Sequence, residues 1–159
     1  MELSFLRHGD AENHAPSDFD RKLTDKGIKD ISRLGVLLSK TEASFDIIFS
    51  SPLIRALETA EIIANTLGIK HHIVQETRLE CGAHLLDIKE ILKEYPSHKK
   101  ILFVGHAPDM GYITSKLLNV DNKINFKKGS ILKMETSFIR EGSATLIYFL
   151  ASNMYIDQT

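Results

Sequence analysis

Short β-prone runs alternate with longer stretches of helical periodicity along almost the whole chain. The run "ELSFL" (2–6) is short, β-prone and soon broken at Gly9, which predicts a buried strand. Residues 10–22, "DAENHAPSDFDRK", are polar and read as a loop. In "LTDKGIKDISRLGVLLSK", Ile28, Ile31, Leu34, Leu37 and Leu38 fall at helical spacing, and Thr24 is placed as an N-cap. Gly27 and Gly35 are expected to weaken that helix slightly. "FDIIFSSP" predicts a strand running into Ser51 and Pro52 as cap and first position of a helix over 52–67, closed by Gly68. A short strand in "KHHIVQET" and a helix in "LLDIKEILKEY" follow, the latter ended by Pro96. "KKILFVGH" is continuously apolar through its middle, which suits a central strand of a parallel sheet. A helix over 107–118 comes next, and strands at about 130–136 and 145–150, joined through "REGS", predict a hairpin at the sheet's edge.

Such alternation means an α/β fold: a three-layer sandwich with a mostly parallel central sheet flanked by helices. No repeat, low-complexity tract or linker interrupts it, so residues 1–159 are expected to form a single domain. The net charge of -1 advertises neither nucleic acid nor an acidic membrane, so any anion site must come from a local cluster. The single cysteine, Cys81, excludes an intrachain disulfide and suggests a reducing compartment. The N-terminus lacks the look of a signal peptide, and no apolar run approaches the ~18 residues needed to span a bilayer. A cytoplasmic location is the expectation.

In open parallel sheets, ligands bind beyond the carboxyl ends of the strands. Arg7 and His8 sit where the first strand ends, Ser50 and Ser51 past the second, and Gly105 and His106 past "ILFV". Arg55 lies one turn into the helix after Ser51, so Arg7, His8, Arg55 and His106 are expected to meet on one edge. Arginine presents a permanently charged planar fork that fits phosphate oxygens, and helix N-termini add unpaired N–H groups. A histidine with one neutral ring nitrogen can attack phosphorus and form a covalent phosphohistidine while arginines hold the transferring oxygens. No Cys/His spacing or carboxylate cluster nearby suggests a metal, and no cofactor is expected.

The fragments "LRHGDAE", "SSPLIRALETA" and "VGHAPDMG" resemble the histidine phosphatase (phosphoglycerate mutase-like) superfamily, and the short chain most resembles its SixA-type phosphohistidine phosphatases. The resemblance runs from residue 6 to the "GHAP" helix and implies His8 as the phosphorylated nucleophile. It further implies Arg7 and Arg55 as phosphoryl ligands and His106 as the group that completes the pocket. "SDFDRKLT" resembles the SixA-type loop, which makes Arg21 a further phosphate or substrate contact. Ala107 replaces an Asn carried by many members, and Glu80 in "RLECGAH" falls near the place where larger members supply a general acid. SixA-type members often lack that acid. An ester's alkoxide needs a proton to leave, whereas imidazole leaves with weak assistance. Without a segment between 67 and 80 long enough to form a lid, the site is expected to be open to a phosphate displayed on a protein.

The resemblance thus implies a metal-independent phosphatase whose partner is a phosphorylated protein, such as a histidine phosphotransfer domain. The alternatives are a small-molecule phosphomonoesterase of the same superfamily and a phosphate-binding module without turnover. Other polar residues have ordinary readings. Adjacent residues on a strand point to opposite faces, so His71 and His72 are expected to be structural rather than metal ligands. Cys81 is expected to be at least half-buried and unactivated, and Asp10, Glu12, Lys127 and Lys128 to be solvated.

Overall fold

The computed structural model describes residues 1–41, 43–69 and 72–156. Six strands form one sheet in the order β3-β2-β4-β1-β5-β6. These are β1 (Glu2–Arg7), β2 (Ile47–Ser50), β3 (Ile73–Gln75), β4 (Lys100–Gly105), β5 (Ile131–Thr136) and β6 (Ala144–Leu150). β1 and β2 flank β4 in parallel, β3 extends the sheet beyond β2, and β5 pairs antiparallel with both β1 and β6. The apolar run of β4 therefore lies centrally, and the closing hairpin forms the edge beyond β1 as its sequence predicts.

The helices are α1 (Asp25–Lys40), α2 (Ile54–Leu67), α3 (Leu85–Glu94), α4 (Asp109–Leu118) and the short α5 (Asn153–Ile156). Alternate strand residues feed two cores because successive side chains leave a strand on opposite faces. Leu3, Phe5, Phe49 and Phe103 pack with Ile88 and Ile91 of α3 and Met110 and Ile113 of α4. Leu6, Ile48, Leu102 and Val104 pack with Ile31 and Leu34 of α1 and Ala60 and Ile63 of α2. Helices thus cover both faces, which makes the three layers. Among the described residues, no helix is long and apolar enough to cross a membrane.

Several local features differ from the sequence expectation. Thr24 does cap α1, its hydroxyl accepting from Gly27 N at 3.0 Å. In the stripe, however, Ile28 is exposed and Gly27 holds the buried position. A Cβ at Gly27 would lie 2.1 Å from Asp10 O, so the glycine lets the loop after β1 approach the helix. Its helix-propensity cost is offset by that contact. α2 begins at Ile54, with Leu53 at its N-cap and no side-chain capping bond, so Pro52 precedes the helix. α4 likewise starts at Asp109 rather than 107. α5 is short enough to carry no periodicity, and Tyr155 ties it down by donating to Gly129 O at 2.7 Å.

Candidate active site

The carboxyl ends of β1, β2 and β4 adjoin in the sheet, and His8 begins where β1 stops. Its backbone is held from several sides. His8 N donates to Gly105 O, and Gly129 N donates to both Arg7 O and His8 O, all at 3.1 Å. The next residue is anchored as well: Gly9 N donates to Thr59 Oγ1 at 3.1 Å, and Thr59 Oγ1 donates to Arg55 O at 2.7 Å. The His8 side chain is buried, with Nδ1 2.7 Å from Gly9 O. A carbonyl oxygen can only accept, so Nδ1 carries the proton and Nε2 presents its lone pair. Arg55 Nε donates to that Nε2 at 3.3 Å.

Arg55 is 4% exposed, and its remaining groups contact the loop between β1 and α1. NH1 donates to Asp18 O at 2.7 Å, and NH2 to Asp18 Oδ2 at 3.1 Å. Asp18 Oδ1 also accepts from Arg21 NH1 at 3.0 Å, while Arg21 Nε donates to Glu12 O at 2.6 Å. Arg21 therefore joins the cluster through Asp18 and makes no direct bond to His8. Arg7 NH1 donates to Phe126 O at 2.8 Å. His106 stands with its ring centroid 5.3 Å from that of His8, and its Nε2 lies 2.8 Å from Ser51 Oγ. Among the described residues, two buried side-chain nitrogens lack a hydrogen-bond partner, Arg7 Nε and His106 Nδ1, and both belong to this cluster. Buried polar groups are nearly always paired, so two unpaired nitrogens in one cluster single it out as a place for a polar ligand.

The electrostatics agree. Burial pushes the His8 imidazole down to about 3, with the neighbouring His106, Arg55 and Arg7 opposing its protonation further. Burial likewise takes His106 down to about 4, assisted by Arg55 and Arg7. Both rings are consequently neutral at pH 7, as a nitrogen nucleophile requires. Asp18 lies below the usual carboxylate range because Arg21, then Arg55, hydrogen-bond its charged form. The cluster thus combines fixed guanidinium charge, an unprotonated imidazole nitrogen that accepts from Arg55, and two buried nitrogens without a partner among the described residues.

The other candidates lie differently. Glu80 is exposed on the loop after a short 3-10 turn (Thr77–Leu79), and its carboxylate makes no hydrogen bond or ion pair among the described residues. Cys81 is exposed rather than half-buried, because the turn carries it to the surface. Asp10 does more than meet solvent: its carboxylate accepts from Thr24 Oγ1 at 2.7 Å and Lys128 Nζ at 2.6 Å. His72 is exposed, and His71 lies outside the described residues. Among the described residues, no group of three or more His, Cys, Asp or Glu side chains is placed to hold a metal ion. Sequence reasoning did not single out Asp18 or Thr59, and it read Ser51 as a helix cap. The signals were present in the Asp three residues before Arg21 and the Thr one helical turn after Arg55.

Comparisons with known proteins fit this geometry. The sequence model of the histidine phosphatase superfamily (branch 1) matches residues 3–80. The chain is 31% identical over 144 residues to a phosphohistidine phosphatase SixA homolog of Haemophilus influenzae, covering 84% of this chain and 87% of that protein. It is 42% identical over 79 residues to a 2,3-bisphosphoglycerate-dependent phosphoglycerate mutase of Borrelia garinii, but this spans 47% of the chain and only 32% of the mutase. In fold it is similar to the protein histidine phosphatase SixA solved with tungstate, with a TM-score of 0.88, 21% identity, and coverage of 97% of this chain and 99% of that one. Sequence similarity along nearly its full length and the same fold lead to one conclusion: the chain belongs to the histidine phosphatase superfamily and is similar to its SixA-type members.

Proposed function

We propose that residues 1–159 work as one catalytic domain, a metal-independent phosphatase that uses His8 as nucleophile and acts on phosphohistidine carried by a protein. His8 Nε2 attacks phosphorus in line, and the substrate's imidazole leaves, taking its proton from solvent. The new Nε2–phosphorus bond makes the His8 ring cationic while Nδ1–H remains bonded to Gly9 O, and that carbonyl stabilises the charge. Water then attacks phosphorus, releasing inorganic phosphate and returning the electron pair to Nε2. Arg7, Arg55 and His106 stabilise the three equatorial oxygens in both steps. The phosphoryl group takes over Arg55 donors that Asp18 now occupies, while Asp18 keeps its hold on Arg21.

The observation that carries this reading is the pair of buried nitrogens without a partner among the described residues, Arg7 Nε and His106 Nδ1, beside a neutral, lone-pair-bearing His8 Nε2. Its relatives support the substrate class, since one is a phosphohistidine phosphatase SixA homolog. Chemistry supports it too. With Glu80 making no bond into the cluster, the site offers little acid to an alkoxide, and an imidazole leaving group needs little. Among the described residues between α2 and the Thr77–Leu79 turn, the short β3 is the one strand or helix, which suits an open site and a phosphate displayed by a histidine phosphotransfer domain. The free Cys81 fits a cytoplasmic setting for such a partner.

The test compares turnover on a phosphorylated histidine phosphotransfer protein with turnover on an aryl phosphate ester. The expected result is much higher kcat/KM on the protein, unchanged by a chelator. Preference for the ester would move the enzyme to the small-molecule phosphomonoesterases. Phosphate binding with no acid-labile label on His8 would reduce it to a binding module.

A further inference from the structure

We infer that the Ser51 hydroxyl is a positioning group that sets the tautomer of His106, making a neutral imidazole a hydrogen-bond donor toward the phosphoryl oxygens. Ser51 N donates to Val104 O at 3.0 Å, continuing the β2–β4 ladder one residue past the strand. That step brings the Ser51 side chain level with His106, which follows β4. Both residues are buried, Ser51 completely. Ser51 Oγ has two partners among the described residues: Leu53 N donates to it at 3.3 Å, and His106 Nε2 lies 2.8 Å away.

Proton accounting then decides between two arrangements. If Nε2 carried the proton, Ser51 Oγ would accept from both neighbours and its own hydrogen would have no acceptor among the described residues. His106 Nδ1 would then turn a lone pair on an incoming anion. If Ser51 donates to Nε2 instead, its hydroxyl is satisfied on both counts and Nδ1 carries the hydrogen. Nδ1 is the ring nitrogen left buried and without a partner, so the second arrangement leaves one unfilled donor, which a phosphate oxygen completes. The ring remains neutral, with burial holding it at about 4, so the donor works without a charge that would compete with Arg7 and Arg55. The helix-cap appearance of "SSP" therefore conceals a hydroxyl whose work is done on the histidine that follows the neighbouring strand β4.

The effect on turnover rests on the phosphatase reading; the tautomer itself does not. In the full chain labelled with 15N-histidine, long-range 1H–15N correlation spectra report which ring nitrogen of His106 bears the proton. The His106 signals are assigned by their loss in His106→Gln. The expected spectrum shows Nδ1–H, with that nitrogen shifting when inorganic phosphate is added. Ser51→Ala is expected to relax the preference toward Nε2–H and to lower kcat at least about 10-fold with a smaller change in KM, and Ser51→Thr to restore both. An Nε2–H tautomer in the wild type overturns the inference, and so does a Ser51→Ala variant that keeps Nδ1–H with kcat within about 2-fold. Should Ser51→Ala fail to fold, the wild-type spectrum alone decides. An Nδ1–H spectrum in a protein with no turnover would sink the phosphatase reading and leave this assignment standing.

Discussion

The two ends of the sheet make opposite uses of polar groups. At the amino ends of β1 and β4 lies a cleft of about 510 Å³ lined by Met1, Glu2, Lys99, Lys100, Glu135 and Thr136. A smaller cleft of about 310 Å³ at the carboxyl ends lies beside Arg7, but its lining of Gly9, Asp10, Lys128 and Ser152 includes none of His8, Arg55 and His106. Yet the larger cleft is chemically quiet. The Met1 ammonium donates to Thr136 O at 2.8 Å, Asp46 Oδ2 accepts from Lys99 N and Lys100 N at 2.8 and 2.9 Å, and Glu2 pairs with Lys133 at 2.8 Å. At the carboxyl end, two buried nitrogens lack partners and two imidazoles are held far below their ordinary range. Unmet hydrogen bonds and suppressed protonation mark the site; volume does not.

Substitutions should separate the two ends sharply. The largest expected effect is from His8→Ala, which removes the proposed nucleophile: no acid-labile phosphate appears on the protein and kcat falls at least about 10⁴-fold, read by radiolabel and steady-state assay. Arg55→Ala and Arg7→Ala each remove donors that the proposed mechanism aims at the transferring oxygens and are expected to lower kcat by about 10²–10³-fold in the same assay.

A smaller effect concerns stability against pH. In the unfolded chain these histidines titrate near their ordinary value of about 6.5, while the folded pocket refuses the proton until about 3 for His8 and about 4 for His106. Below about 6.5 the unfolded state therefore binds protons that the native state does not. Stability from this source is complete above that pH and falls by about 1.4 kcal/mol per unit for each histidine as pH drops toward about 4. Thermal melts from pH 7.5 to 5 should show the fall, and His106→Gln should make it shallower. Identical slopes in the two proteins would refute the neutral state assigned to His106. The smallest effect is expected at the quiet end, where Lys100→Ala should leave kcat within about 2-fold, since exposed lysines there contribute little. A larger loss would mean that the contrast between the ends is wrong.

Different parts of the site were legible to different degrees. Arg7, His8, Arg55 and His106 could be read because each sits at a strand end or in the first turn of the following helix, and the alternation of elements places those points on one edge. Ser51 reads as a cap because "SSP" is a local capping signal, while its partner is 55 residues away, just past β4. Asp18 lay in a polar loop without periodicity, where nothing local distinguishes the acid that meets Arg55 from Asp20, which accepts from Ser17. Gly27 looked like a flaw in α1 until the Asp10 backbone was seen against it. Glu80 could be placed near the site along the chain, but only the turn at Thr77–Leu79 decided that it faces solvent.

The alternation of strand and helix, and the identity of the residues that end each strand, were determined by sequence alone, because periodicity and chain breaks are local properties. Which ring nitrogen of His8 is unprotonated, what holds Arg55, and which buried nitrogens lack a partner among the described residues were decided only by tertiary structure. Those properties depend on partners brought from distant parts of the chain and on how much water the packed pocket excludes.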